Sequence, residues 1–216
     1  MWKGKLLVVT FQGGELVCLV DFGNTLVDET FLWRDTDAFP DWTRQWSEVM
    51  NDYATSWDTG KLGTEDVLNE MARRLGCSYG LVRANFDTLC SDVTVHPAVI
   101  AALRARRLRQ CRQAIVTVNP DCFGWLVELC GLADLFDLVV TSSEIGTTDK
   151  AEICSVACDR LGVAVARTVL IDNLPQHVEA WMTRGGSGYL YSNDDQFAQD
   201  IAGRRIPGFD PTDLLG

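Results

Sequence analysis

Four polar clusters, each following an apolar run, mark where this chain could do chemistry. The first run, residues 16–20, ends in Asp21-Phe22-Gly23-Asn24-Thr25-Leu26. The second ends in Thr117-Val118-Asn119, the third is followed by Lys150, and the fourth ends in Asp172-Asn173. A carboxylate at the exit of a buried strand is a poor core residue but a good nucleophile, able to attack phosphorus or carbon and form a covalent intermediate. A hydroxyl such as Thr117 and an ammonium such as Lys150 can hold the oxygens of a transferring phosphoryl group. Oxygens of Asp21, Asp172 and Asn173, with one backbone carbonyl and water, would complete the octahedral shell that suits Mg2+.

The elements that must position these residues alternate between short apolar runs and helix-period segments, the pattern of an α/β protein with a parallel sheet. Strands are predicted at 16–20, 114–118, 138–141, 168–171 and 188–191, and helices at 121–130, 150–161, 175–183 and 194–202. Parallel strands share a direction, so all four clusters converge on the carboxyl edge of the sheet, where open α/β sheets bind ligands. Ahead of the first strand, residues 6–10 and Gly13-Gly14 suggest a hairpin.

Between Thr30 and about Leu108 no strand is predicted, only helical pattern. Trp42, Trp46, Val49, Met50, Tyr53 and Trp57 recur at helical spacing and read as the core of an insertion rather than a ligand lining. Thr64 is expected to cap a helix through Val67, Leu68, Met71 and Leu75 that Gly76 ends. Residues 81–89 offer a further short helix, and His96-Pro97 starts another, with proline in a favoured first-turn position. The expected division is therefore 1–28 and 109–216 as the α/β core, with 29–108 as a helical cap and post-cap helix.

The whole-chain balance narrows the partners. A formal charge of −11 opposes a nucleic-acid surface, and the one basic cluster, Arg104 to Arg112, reads as a solvated helix face. Eight cysteines without a Cys-x-x-Cys pair, and only two histidines, argue against zinc and for a reducing cytoplasm. No run is long enough for a membrane helix, and no signal peptide is read at the start.

Together, the Asp21–Leu26 motif, Thr117, Lys150 and Asp172-Asn173, in this order, resemble the four motifs of the haloacid dehalogenase (HAD) superfamily. The helical stretch after the first motif resembles that superfamily's cap. The resemblance implies a Rossmann-like core and a magnesium-dependent phosphatase of a small phosphorylated metabolite, with Asp21 forming an aspartyl-phosphate. It further implies Thr117, Val118, Asn119 and Lys150 at the phosphate, Lys150 steadying the nucleophile, and Asp21, the Gly23 carbonyl, Asp172 and Asn173 at the metal.

Three positions depart from the pattern. Gly23 stands where such phosphatases usually carry an acid that protonates the leaving group, a loss worth about 10²–10⁴ in rate. Asn173 replaces a second acid, with His177 near the usual downstream Asn or Asp. Lys150 precedes Ala151-Glu152 rather than a proline-containing run. Slow hydrolysis, or hydrolysis limited to good leaving groups, is the expected consequence. Two other readings remain open: carbon–halogen hydrolysis by the same carboxylate, and a degenerate member that binds a phosphorylated ligand or a protein without turnover. Asn24 reads as a turn residue, and Asp28 and Glu29 as polar hinge groups without assigned roles.

Overall fold

In the computed structural model of the protein, residues 16–214 are described; the expected hairpin at 6–14 lies outside them. Five parallel strands form the sheet: β1 (Val17–Val20), β4 (Gln113–Thr117), β5 (Leu138–Thr141), β6 (Thr168–Asp172) and β7 (Ser187–Leu190), in the order β5-β4-β1-β6-β7. β1 is central, with Val20 opposite Ile115 on one side and Ile171 on the other. The predicted strands are all present, their ends differing by at most one residue.

Strand side chains alternate between the two faces, which is why the central strands read as continuous apolar runs. Val17, Leu19, Ala114, Val116 and Leu170 pack on one face with Ile153, Cys154 and Ala157 of α7 (Lys150–Leu161) and Trp181 of α8 (Pro175–Thr183). Cys18, Val20, Ile115, Val169 and Ile171 pack on the other with α4 (Pro97–Leu108), α5 (Phe123–Leu129) and α9 (Asp194–Ala202). The product is a three-layer α/β core.

Between β1 and β4 lie the helices α1 (Trp42–Asp58), α2 (Thr64–Leu75) and α3 (Tyr79–Ser91). The tryptophan stripe is their core: Trp42, Trp46 and Trp57 are buried, the Trp42 and Trp46 rings stack 5.7 Å apart, and Trp57 meets Trp46 edge-on. Gly76 ends α2 in the left-handed conformation, at φ 65°. Thr64, however, is the first helical residue rather than the cap. Gly63 takes the cap position, its N–H donating to Asp66 Oδ2 at 2.9 Å, while the Thr64 hydroxyl is drawn off to Asp121 in the loop after β4.

Two further expectations are corrected. A two-residue strand β3 (Thr94–Val95) lies inside the stretch expected to lack strands and pairs antiparallel with β2 (Val27–Asp28). A strand this short has no periodicity to read; its pairing is a tertiary event. The basic cluster is also not simply solvated. Arg106 is fully buried, donates to the carbonyls of Leu16 and Gly208, and lies over the Phe209 ring. Arg107 pairs with Asp137 and Arg109 with buried Asp213. Much of the cluster's charge is thus spent inside the molecule.

The helical insertion is fastened over the sheet's carboxyl edge. Thr64 N–H donates to Asp121 at 3.2 Å, and the Ser142 hydroxyl bridges the carbonyls of Asp58 and Asn119. Gly60, at φ 68°, lets the chain pass so close that an added Cβ would stand 2.4 Å from the Ser143 carbonyl oxygen.

Truncating Trp46, which is 1% exposed and flanked by two indoles, removes the keystone of the inserted helices. Trp46→Ala is expected to lower unfolding free energy by about 3–5 kcal/mol, measured by urea denaturation. A loss under about 1 kcal/mol would show that the stripe is not a packed core.

Candidate active site

Because β1, β4 and β6 run in register, their last residues arrive side by side. Asp21 follows Val20 directly, and its N–H donates to the Ile171 carbonyl at 2.9 Å. Thr117 ends β4 and Asp172 ends β6. Lys150 opens α7, an unfavourable place for a cation because a helix N-terminus carries partial positive charge. Asp149 compensates locally, its carboxylate accepting from the N–H groups of Ala151 and Glu152. The stronger reason is tertiary: Lys150 Nζ pairs with Asp21 Oδ1 and lies 3.0 Å from Asp172 Oδ2.

Asp21, Lys150 and Asp172 are all buried. Burial by itself would lower the Lys150 pKa, but the charges of Asp21 and Asp172 outweigh it and hold the ammonium charged. Burial pushes the Asp21 carboxyl up, opposed by Lys150 and aided by Asp172. For Asp172, burial is overcome by the His177 hydrogen bond and the Lys150 charge, leaving it below the ordinary carboxylate range. His177 Nδ1 lies 3.1 Å from Asp172 Oδ2, and the Leu174 N–H donates to Oδ1 at 2.8 Å.

The remaining predicted residues form a second group. Thr117 is buried, and its Oγ1 accepts from Asn119 Nδ2 at 2.6 Å. Val118, half-buried, packs its side chain against the core. Asn173 contacts Thr25 Oγ1 at 3.5 Å rather than the Asp21–Lys150–Asp172 cluster. Asn24 is a turn residue, left-handed at φ 53°.

Glu29 is the residue that sequence reasoning passed over. It opens a single 3₁₀ turn, 29–32, capped by Asp28, and its half-buried carboxylate folds back beneath the Asp21 loop. Asn24 grips it twice, accepting its N–H at 3.3 Å and donating to Oε2 at 3.2 Å. Asn119 Nδ2 approaches Oε1 at 3.5 Å, joining it to Thr117. Burial and the Asp21 charge push the Glu29 carboxyl up to about 7, and burial pushes Asp58 up to about 6. An acid eight residues past Asp21 has no spacing rule that would have marked it.

Among the described residues, no three His, Cys, Asp or Glu side chains cluster to hold a metal. The oxygen donors nonetheless fit Mg2+ in chemical type. Lys150 takes only one Asp21 oxygen, Asn173 Oδ1 has just the long Thr25 contact, and the Gly23 carbonyl needs no side chain. Asp172 is the least available, because Lys150, His177 and the Leu174 N–H already engage its oxygens. One lysine against two or three carboxylates also leaves no surplus positive charge for a phosphate dianion, a deficit a divalent cation would correct.

A HAD family enzyme from Bacteroides thetaiotaomicron superposes with a TM-score of 0.67 at 14% identity, over 87% of this chain and 98% of its own. The same enzyme has been solved with magnesium and inorganic phosphate. This chain has the HAD fold. That fold is shared with a HAD phosphatase from Thermococcus onnurineus (TM-score 0.58, 20% identity, 82% and 86% of the two chains). It is shared too with L-2-haloacid dehalogenase from Xanthobacter autotrophicus, solved with chloropropionic acid covalently bound (0.61, 17%, 94% and 87%). No family model and no curated protein matches the sequence. Also, among the described residues, no helix is long and apolar enough to cross a membrane.

The Glu29 environment has a signed consequence for stability. The folded state holds the Glu29 proton up to about 7, against an ordinary value of 4.5. The associated stability is therefore fully present below the unfolded value and is lost as pH rises through the folded one. In metal-free buffer, the melting temperature of wild type relative to Glu29→Gln should fall between about pH 5 and about pH 8. A difference flat across that window would contradict the raised value.

Proposed function

We propose that this protein is a HAD-type hydrolase, a magnesium-dependent phosphatase of a small phosphorylated metabolite that works through an aspartyl-phosphate on Asp21. The observation that carries the reading is the buried contact of Lys150 with Asp21 and Asp172 at the sheet's carboxyl edge, beside Thr117. Lys150 engages one oxygen of Asp21, opposing the upward push of burial and aiming the carboxylate while the other oxygen attacks phosphorus. Thr117, Asn119 and the Val118 backbone N–H then hold the phosphoryl oxygens. Asp172, oriented by His177 and the Leu174 N–H, fixes Lys150 in place.

Mg2+ would be held by Asp21, the Gly23 carbonyl, Asn173 and Asp172, and would neutralise phosphate charge that Lys150 alone leaves unbalanced. The inserted helices, tied down through Asp58–Ser142 and Thr64–Asp121, exclude bulk water from the reacting groups and set specificity. The solved magnesium and phosphate complex of the Bacteroides enzyme supports this reading at the level of the shared fold.

Asp21→Asn should reduce phosphate release from any accepted phosphoester to background, and chelation followed by added Mg2+ should abolish and restore it. Thr117→Ala should lower kcat/KM by about 10–100-fold, the worth of a hydrogen bond to a charged group. Full activity in purified Asp21→Asn would overturn the mechanism. Halide release from a 2-haloacid that persists in chelator would instead favour carbon–halogen hydrolysis. A melting point raised by magnesium and phosphate, without turnover, would indicate a binding protein.

Removing the cation from the centre tests the electrostatic part of this reading separately. Lys150→Met leaves Asp21 and Asp172 buried without a counter-charge. It should lower stability at neutral pH by about 3–5 kcal/mol in chemical denaturation. Wild-type stability in this variant would mean that the contact does not hold the site together.

A further inference from the structure

Breaking a phosphoester bond leaves negative charge on the departing oxygen, and an alkyl leaving group departs readily only if a proton reaches that oxygen. Position 23, two residues past Asp21, carries no side chain to supply one. Yet the space beside it is filled. A Cβ built on Gly23 would stand 1.8 Å from Glu29 Oε1, 2.0 Å from its Cδ and 2.5 Å from Oε2. The carboxyl group of Glu29 thus lies where the root of a residue-23 side chain would be. A side chain at position 23 would have to displace that carboxyl, which lies at the end of the Glu29 side chain.

Its surroundings are those of a working group rather than a structural ion. Among the described residues Glu29 forms no ion pair; Asn24 and Asn119, both neutral amides, are the side chains that hydrogen-bond to its carboxyl. Asn24 holds the backbone and the carboxyl of Glu29 together, and Asn119 ties it to Thr117. Asp172, by contrast, is committed to Lys150 and His177, and the three atoms nearest the position of a residue-23 Cβ all belong to Glu29. Glu29 thus combines a carboxyl set against Gly23 with the absence of an ion pair among the described residues.

We propose that Glu29 is the general acid and base of this site, its carboxyl supplying from a later turn what Gly23 lacks. The proposal rests on the phosphatase reading above. In the first step an Asp21 oxygen bonds to phosphorus, the bond from phosphorus to the leaving oxygen breaks, and the Glu29 proton passes to that oxygen. In the second, the Glu29 carboxylate takes a proton from water as its oxygen attacks phosphorus. The Asp21–phosphorus bond breaks, inorganic phosphate leaves, and both side chains return to their starting states.

The test compares two phosphoesters in the presence of Mg2+: p-nitrophenyl phosphate, whose leaving phenolate needs little protonation, and glycerol phosphate, whose alkoxide needs it. Glu29→Gln should lower turnover of the alkyl ester by about 10²–10⁴-fold, while the first-turnover release of p-nitrophenol stays within about threefold of wild type. Equal activity on both esters would overturn the assignment, as would equal loss on both, which marks a merely structural role. If Glu29→Gln does not fold, Glu29→Ala is compared with Glu29→Ala/Gly23→Asp, in which the space beside residue 23 has been emptied. Recovery of alkyl-ester turnover by at least about tenfold in the double variant supports the proposal, and no recovery overturns it. Asp21→Asn separates the two levels of failure. If wild type and Asp21→Asn are equally inert, the phosphatase reading falls and Glu29 with it. If only Asp21→Asn is inert and Glu29→Gln is normal, the acid–base assignment alone falls.

Discussion

The ammonium of Lys150, set between the carboxylates of Asp21 and Asp172, is the contact around which the rest of this molecule is arranged. Three charged groups removed from water are tolerable only when each is paired at close range, and loss of any one leaves the others strongly destabilised. That condition fixes several things at once. β1 and β6 must end level with each other, α7 must begin within reach of both, and a cation must sit at the helix end that least favours one.

From this contact follows a division of labour among acids. Asp172, flanked by Lys150 and His177, is held below the ordinary carboxylate range, whereas Glu29 and Asp58, which form no ion pair among the described residues, are pushed upward by burial. Here the separation among Asp172, Glu29 and Asp58 follows from geometry, since all three are ordinary aspartates and glutamates.

The inserted helices complete the site from above without contributing to the charged cluster. Their tryptophan core makes them stiff, and their attachments fall at the loops after β4 and β5, through Thr64–Asp121 and Asp58–Ser142. The short β2–β3 ribbon at their base carries the chain from Asp28 into the turn that holds Glu29. Cap placement and the position of that carboxyl are therefore consequences of the same local path.

Periodicity is a local property, so the sequence by itself determined the parallel strands, the helices that separate them and the convergence of Asp21, Thr117, Lys150 and Asp172. Apolar alternation on both faces and glycine stops such as Gly76 act within a few residues and remain readable in one dimension. Tertiary structure decided what depends on chain path. It moved Thr64 from cap to inter-element bond, drew Arg106 inside to serve distant carbonyls, and paired Thr94–Val95 with Val27–Asp28, far earlier in the chain. Above all it decided the meaning of Gly23. In the sequence that glycine is an absent acid; in the folded chain, a left-handed Asn24 and a short 3₁₀ turn bring the Glu29 carboxyl into the space glycine leaves. No spacing rule joins residues 23 and 29, because the distance between them is set by the turn and not by a repeating element.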